Sequence, residues 1–154
     1  MSNMLHKAWT EMVQPLLRRP RQYQVAALCY RDAGNGAGDE VLLITSRRSG
    51  RWILPKGWPI DGLQSHEAAA QEAWEEAGVR AKSDTAIPVG RFDYEKRIEQ
   101  GYRAPVEAQV FKLRVDALAD SYPEASERRR AWFHPLEAAD LVKERGLAKI
   151  LRQM

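Results

Sequence analysis

Cys29 is the only cysteine among 154 residues, so no intrachain disulfide can form and the fold must rest on its core. It sits in Val25-Ala26-Ala27-Leu28-Cys29-Tyr30, a strand-like apolar run, where a small core thiol is expected rather than a nucleophile. No apolar run approaches the ~20 residues that a membrane-crossing helix needs. The first twenty residues lack the unbroken apolar stretch of a secretion signal, being interrupted by His6, Lys7, Glu11, Arg18 and Arg19. A cytoplasmic location is the expectation. A dominant charge is missing as well. Lys and Arg number 24 against 21 Asp and Glu, and a net charge of +3 is too mild to argue for a nucleic-acid partner. Internal repeats and low-complexity tracts are absent.

What remains is an ordinary globular composition, 44% apolar and 29% charged. Residues 22–154 read as one domain, preceded by a helical extension over 1–21 in which Met4, Leu5, Trp9, Met12, Val13 and Leu16 are apolar. Residues 22–30 and 40–46 read as a hairpin around a glycine-loaded turn. Arg51-Trp52-Ile53-Leu54 is strand-like, as are residues 86–98, 105–115 and 130–133. Pro135 starts a helix, and a last short helix is expected over 146–154. Strands on both sides of one central helix, with further helices after them, predict an α/β layered fold around a mixed sheet.

That central helix carries the chemistry. Ser65 can cap its start and Gly78 can end it in the left-handed conformation. With Glu72 at zero, Glu75 falls near about −60° and Glu76 near about +40° at ~100° per residue. Ala70, Ala73, Trp74 and Ala77 fall on the opposite side. One face can pack on a core while the other aims three carboxylates at one point. Three such charges repel and raise each other's pKa unless something positive lies among them. A hard divalent cation, Mg²⁺ or Mn²⁺, suits carboxylate oxygens.

Gly57, Glu72, Glu75, Glu76, Gly78 and Val79 match in register the signature of the Nudix hydrolases, and the segment resembles the Nudix box. Two positions depart: Leu63 stands for the early glutamate and Gln71 for the arginine before the helix glutamates. Outside the box, Val25 to Tyr30, Glu40 to Ile44, Arg51 to Trp58 and Arg130 to Phe133 are similar to the diphosphoinositol polyphosphate phosphohydrolase branch. The resemblance implies an α/β/α sandwich and hydrolysis of a diphosphate linkage in a phosphorylated small molecule, such as a diphosphoinositol polyphosphate, a dinucleoside polyphosphate or a nucleotide sugar. It implies Mg²⁺ or Mn²⁺ as cofactor, held by Glu72, Glu76 and the carbonyl of Gly57, with Glu75 on a second ion or a metal-bound water. The general base is expected at a helix glutamate or at a downstream acid, Glu124 or Glu127. Ser46, Arg47, Arg48, Lys56, Arg128 and Arg130 are the candidates for substrate phosphates, since forked guanidinium donors suit phosphate oxygens. A monomer or homodimer is expected. The rival reading is a sensor of the same fold that binds a phosphorylated metabolite without turnover.

In the family the early glutamate and the arginine form a structural ion pair. Losing both together leaves neutral Leu63 and Gln71 rather than an unpaired buried charge. Restoring only the arginine is therefore expected to be neutral or destabilising.

Overall fold

The computed structural model of the chain describes residues 21–97 and 101–154. The helix expected over residues 4–17 lies outside the described residues.

β1 (Gln22–Asp32) and β2 (Asp39–Thr45) form the expected antiparallel hairpin, with Tyr30 opposite Val41. β3 (Trp52–Ile53) and β4 (Lys56–Gly57) are short, and α1 (Ser65–Ala77) follows. Next come β5 (Val79–Arg80), β6 (Ile87–Arg97), β7 (Arg103–Arg114) and β8 (Ala117–Leu118). β9 (Arg130–Phe133), α2 (Pro135–Leu141) and α3 (Arg145–Arg152) complete the chain. The main sheet runs β3-β2-β1-β7-β6, with β4 beside β1 and β9 beside β2, while β5 and β8 form a separate pair. β1 and β7 are parallel and the other pairs antiparallel, so the sheet is mixed as expected. A parallel pair needs a crossover, and α1 lies within it.

Alternation along β1 sends Val25, Ala27 and Cys29 to one face and Ala26 and Leu28 to the other. Ala68, Ala69, Ala73 and Ala77 of α1 pack on the first face. Ala138 of α2 and Leu147 and Leu151 of α3 pack on the second. The result is an α/β/α sandwich. Burial pushes the Cys29 thiol up to about 12, which fits an inert core position. Trp52 meets Phe133 edge-on at 4.9 Å and packs in the core, as its sequence context suggests.

Several boundaries differ from the sequence reading. Gln64, not Ser65, caps α1: the chain is still extended at Gln64, whose N–H donates to Glu67 Oε1 at 2.9 Å. Ser65 is already the first helical residue. Gly78 does end the helix with φ of 67°. The strand expected over 51–54 shrinks to two residues, because Pro55 cannot donate to a ladder. The Pro55 carbonyl instead accepts from Ala27 N–H at 2.9 Å, which turns the chain onto β1. β4, β5 and β8 are two residues each, too short to leave a periodic signal.

Candidate active site

β4 fixes one wall of the site. Its pairing places Gly57 opposite Val25 and Lys56 opposite Ala26, on the central strand. α1 crosses above, and its Glu72 carboxylate presses against Gly57. A Cβ at position 57 would stand 2.5 Å from Glu72 Oε1 and 2.7 Å from Oε2, so the close approach requires glycine. One turn on, Glu76 is only 4% exposed, and its Oε2 accepts from Lys56 N–H at 3.3 Å. Glu72 and Glu76 share a side-chain hydrogen bond.

The loop between β8 and β9 forms the opposite wall, and backbone bonds tie it to α1. Glu124 N–H donates to Glu75 O at 3.0 Å, and Ala119 N–H to Gly78 O at 2.8 Å. Arg129 N–H donates to Thr45 Oγ1 at 2.9 Å, joining the loop to the end of β2. These anchors carry Glu124 and Arg128 over the carboxylates.

The open cavity between these walls, about 400 Å³, is lined by Glu72, Glu76, Glu124, Arg128, Arg47, Lys56 and Gly57 among others. Burial pushes Glu76 up to about 8, and the bond shared with Glu72 pushes the same way, against the pull of the Arg128 guanidinium. Glu72 is raised too, chiefly by burial. Burial lowers Lys56 to about 8, against the attraction of Glu76. Lys56 Nζ sits 5.3 Å from the Tyr94 ring centroid, and Tyr94 OH donates to the buried Gln24 side chain.

A second cavity, about 560 Å³, opens beside the first and shares Arg47, Ile53, Lys96 and Arg128 with it. Ser46, Arg48, Arg51, Arg97, Arg103 and Lys143 also line it. Among the described residues of its lining, Glu95 is the one carboxylate.

The sequence candidates thus come together unevenly. Glu72, Glu76, Glu124, Lys56, Gly57, Arg47 and Arg128 meet in the carboxylate cavity, and Ser46 and Arg48 lie in the basic cleft. Glu75 does not join them. Its Oε1 accepts from Gln71 Nε2 at 3.0 Å, one turn back, and its charge acts on Glu72 from outside the cavity lining. Among the described residues no three His, Cys, Asp or Glu side chains form a group that could hold a metal ion. Arg130 lines neither cavity. Its Nη1 donates to Ala77 O at 2.7 Å, and its guanidinium lies over Tyr122 at 4.8 Å, so it caps the end of α1. Glu127 pairs with Arg47 at 3.6 Å.

Three features escaped the sequence reading. Lys96 lies over Trp58 at 5.2 Å at the cavity mouth, brought there by the pairing of β6 with β7. Gln24 reads as a polar interruption of a strand, with nothing to mark it as cavity lining. Half-buried Arg51 pairs with buried Glu144 at 2.7 Å, with Arg51 Nη1 and Glu144 Oε2 lacking a partner. Their separation in sequence hides that pair.

The donors fit a hard divalent ion. Glu72, Glu76 and the Gly57 backbone offer oxygens alone, and the glycine cradle brings the first of them against the last.

The family model described as NUDIX domain matches residues 20–154. The chain is 32% identical over 134 residues to Nudix hydrolase 21, chloroplastic, of Arabidopsis thaliana, covering 82% of this chain and 63% of that one. It is 33% identical over 123 residues to diphosphoinositol polyphosphate phosphohydrolase 3-alpha of Mus musculus, covering 78% and 68%. The chain spans about three fifths of the length of the Arabidopsis relatives that it matches. The fold is similar to a C. elegans Ap4A hydrolase, with a TM-score of 0.60, 20% identity, and 87% and 96% of the two chains covered. It is also similar to the NUDIX domain of Shewanella oneidensis NrtR complexed with ADP ribose, with a TM-score of 0.63, 14% identity and 96% of each chain covered.

Proposed function

The chain belongs to the NUDIX family, and from that premise we propose that it hydrolyses a phosphoanhydride in a small, highly phosphorylated metabolite. The observation that carries this reading is the joining of the carboxylate cavity to the basic cleft through Arg47, Lys96 and Arg128. The first supplies acid–base and metal chemistry, and the second supplies cations well beyond those one diphosphate needs. A substrate with several phosphates uses both.

Mg²⁺ or Mn²⁺, held by Glu72, Glu76 and the Gly57 carbonyl, would neutralise phosphate charge and lower the pKa of a water. The protein does the rest. Glu124 stands in the cavity as base for the attacking water, and Arg128 and Arg47 hold its carboxylate in place at 3.1 Å and 3.5 Å. The water oxygen bonds to phosphorus, the proton passes to Glu124, and the bridging P–O bond breaks. Lys56 and Arg47 face the leaving phosphate, and Arg48 and Lys143 receive phosphates further out.

Diphosphoinositol polyphosphates and dinucleoside polyphosphates fit this cleft better than nucleotide sugars, whose phosphates are only the reacting pair. The mouse relative is named for the first class and the C. elegans neighbour for the second. The cytoplasmic setting is part of the proposal. Among the described residues no helix is long and apolar enough to cross a membrane, and some relatives are named chloroplastic or mitochondrial. The alternative, a sensor without turnover, has one neighbour in its favour, the NUDIX domain holding ADP ribose. The seated Glu72–Glu76 pair favours the enzyme. Phosphate release measured across the three substrate classes with Mg²⁺ and Mn²⁺ decides. Binding of any of them with no product formed would select the sensor.

A further inference from the structure

Arg128 is the most deeply placed arginine of the site, with its side chain 8% exposed. Three acceptors hold it. Nη2 lies 3.3 Å from Glu76 Oε1 and 3.1 Å from Glu124 Oε1, and Nη1 donates to Thr45 O at 3.1 Å. Nε donates to Glu124 Oε1 at 3.2 Å. The residue lines both the carboxylate cavity and the basic cleft. Glu76 Oε1 is therefore engaged by a cation of the protein itself, while a divalent ion at Glu72 and Glu76 would claim the same carboxylate. A guanidinium offers only donors, and two cations on one carboxylate repel each other.

Resting on the reading of this cavity as a metal site, we infer that Arg128 is an internal counter-cation that competes with the divalent ion for Glu76. Metal entry moves the guanidinium off Glu76 and toward the cleft it already lines. In the metal-free chain Arg128 gives the Glu76 carboxylate a cationic partner, where a buried charge without one is strongly destabilising. The released guanidinium faces the substrate's phosphates, so metal and substrate favour the same arrangement. Binding of each then strengthens binding of the other, because such coupling is reciprocal. Arg47 is the useful contrast. Its side chain is 58% exposed, and its pairs are with Glu124 and Glu127.

The test is Mn²⁺ binding to substrate-free protein, read from the paramagnetic resonance of free ion at high salt. Arg128→Met should bind Mn²⁺ about tenfold or more tighter than wild type. Arg128→Lys should fall between them, because an ammonium cannot span Glu76, Glu124 and Thr45 together. Arg47→Met should match wild type, because exposed charges are screened under these conditions. Metal-free Arg128→Met should melt lower, and Mn²⁺ should recover more of its melting temperature than it adds to wild type. Where Arg128→Met does not fold, Arg128→Lys carries the comparison. Equal or weaker Mn²⁺ binding in the folded variants overturns the inference while leaving the metal site standing. So does equal tightening by Arg47→Met and Arg128→Met, which would be a bulk-charge effect. If wild type and Arg128 variants alike bind no Mn²⁺, the metal reading falls and takes the inference with it.

Discussion

The carboxylate cavity and the basic cleft lie side by side and are built on opposite principles. In the first, charges are buried, paired and fixed by regular structure: Glu76 from α1, Lys56 from β4, Arg128 bonded to the end of β2. In the second, the cations are mostly exposed and stand on strand ends and turns, such as Arg47 and Arg48 after β2 and Lys143 after α2. Chemistry needs atoms held within a fraction of an ångström, which packed elements provide. Recognition of a multiply charged anion needs only many donors within reach, and solvated side chains provide that. The two regions should therefore fail differently when altered.

The largest effect belongs to the buried side. Glu72→Gln and Glu76→Gln each remove one of the proposed metal ligands and should cut turnover on the order of a hundredfold or more. The metal-free fold should survive, because an amide is neutral where burial already disfavours the charge. Steady-state kinetics with a melting curve checks both halves. Near wild-type turnover in Glu76→Gln would remove it from the reacting centre. Gly57→Ala comes next. Its Cβ would overlap the Glu72 carboxylate and must push it away, so kcat should fall about tenfold to a hundredfold. Unchanged kcat would show that the glycine serves only the turn.

The exposed side should answer in KM instead. Arg47→Ala with Arg48→Ala should raise KM about tenfold for a long dinucleoside polyphosphate, with a smaller loss of kcat because Arg47 also pairs with Glu124 at 3.5 Å. A nucleotide sugar, whose phosphates stop at the cavity, should respond far less. Added salt should shrink the difference in wild type. Equal KM changes for both substrates would make these arginines ordinary surface charges.

Buried pairing has a signature in pH as well. Burial puts Glu76 at about 8 against an ordinary 4.5, so across that interval the folded state keeps a proton that the unfolded chain has lost. Stability then falls as pH rises from 4.5 to about 8. Lys56, lowered from 10.5 to about 8, is the mirror case: the unfolded chain holds the proton, and stability rises from about 8 to 10.5. Metal-free protein should have a shallow stability minimum near pH 8 within this range. Denaturant unfolding from acid to alkaline pH tests it, and Glu76→Gln should flatten the acid limb. A curve of unchanged shape in that variant would mean Glu76 ionises as it does in the unfolded chain.

Which of these features could be read from sequence follows the same division. Helix periodicity placed Glu72 and Glu76 on one face, and the apolar runs on either side of a glycine-loaded turn marked the hairpin of β1 and β2. Periodicity could not tell which flank of the helix the cavity would occupy, so it left Glu72, Glu75 and Glu76 as one group. That flank is fixed by β4, two residues long, and by the loop bonded to α1 through Glu124 and Ala119. Arg128 and Arg130 look alike in the run Arg128-Arg129-Arg130. Strand β9 begins at Arg130, and one guanidinium reaches Glu76 while the other reaches Ala77 O. Lys96 and the Arg51–Glu144 pair depend on pairing across the sheet and packing of its far layer, which no local pattern reports.

The smallest effect separates the cavity from the outer surface of the same helix. Leu63 is 40% exposed, and Gln71 is exposed beside Glu67 and Trp74 in a shallow groove. The absent ion pair is therefore a surface matter, not the buried one its family role suggests. Gln71→Arg would find Glu75 one turn ahead, where Gln71 already bonds at 3.0 Å. The expectation from sequence, neutral or destabilising, shifts to neutral or slightly stabilising, within about 0.5 kcal/mol. Adding Leu63→Glu should contribute about 0.2 to 1 kcal/mol of coupling, as exposed pairs do. A double-mutant cycle from denaturant unfolding measures it. Coupling several times larger would mean that the loop carrying Leu63 closes over Gln71 and buries the pair. The loop and helix would then share the rigidity of the carboxylate cavity, and loop substitutions should begin to lower kcat. Strict additivity would leave the outer face of α1 independent of the chemistry on its inner face, which is what the exposure of both residues predicts.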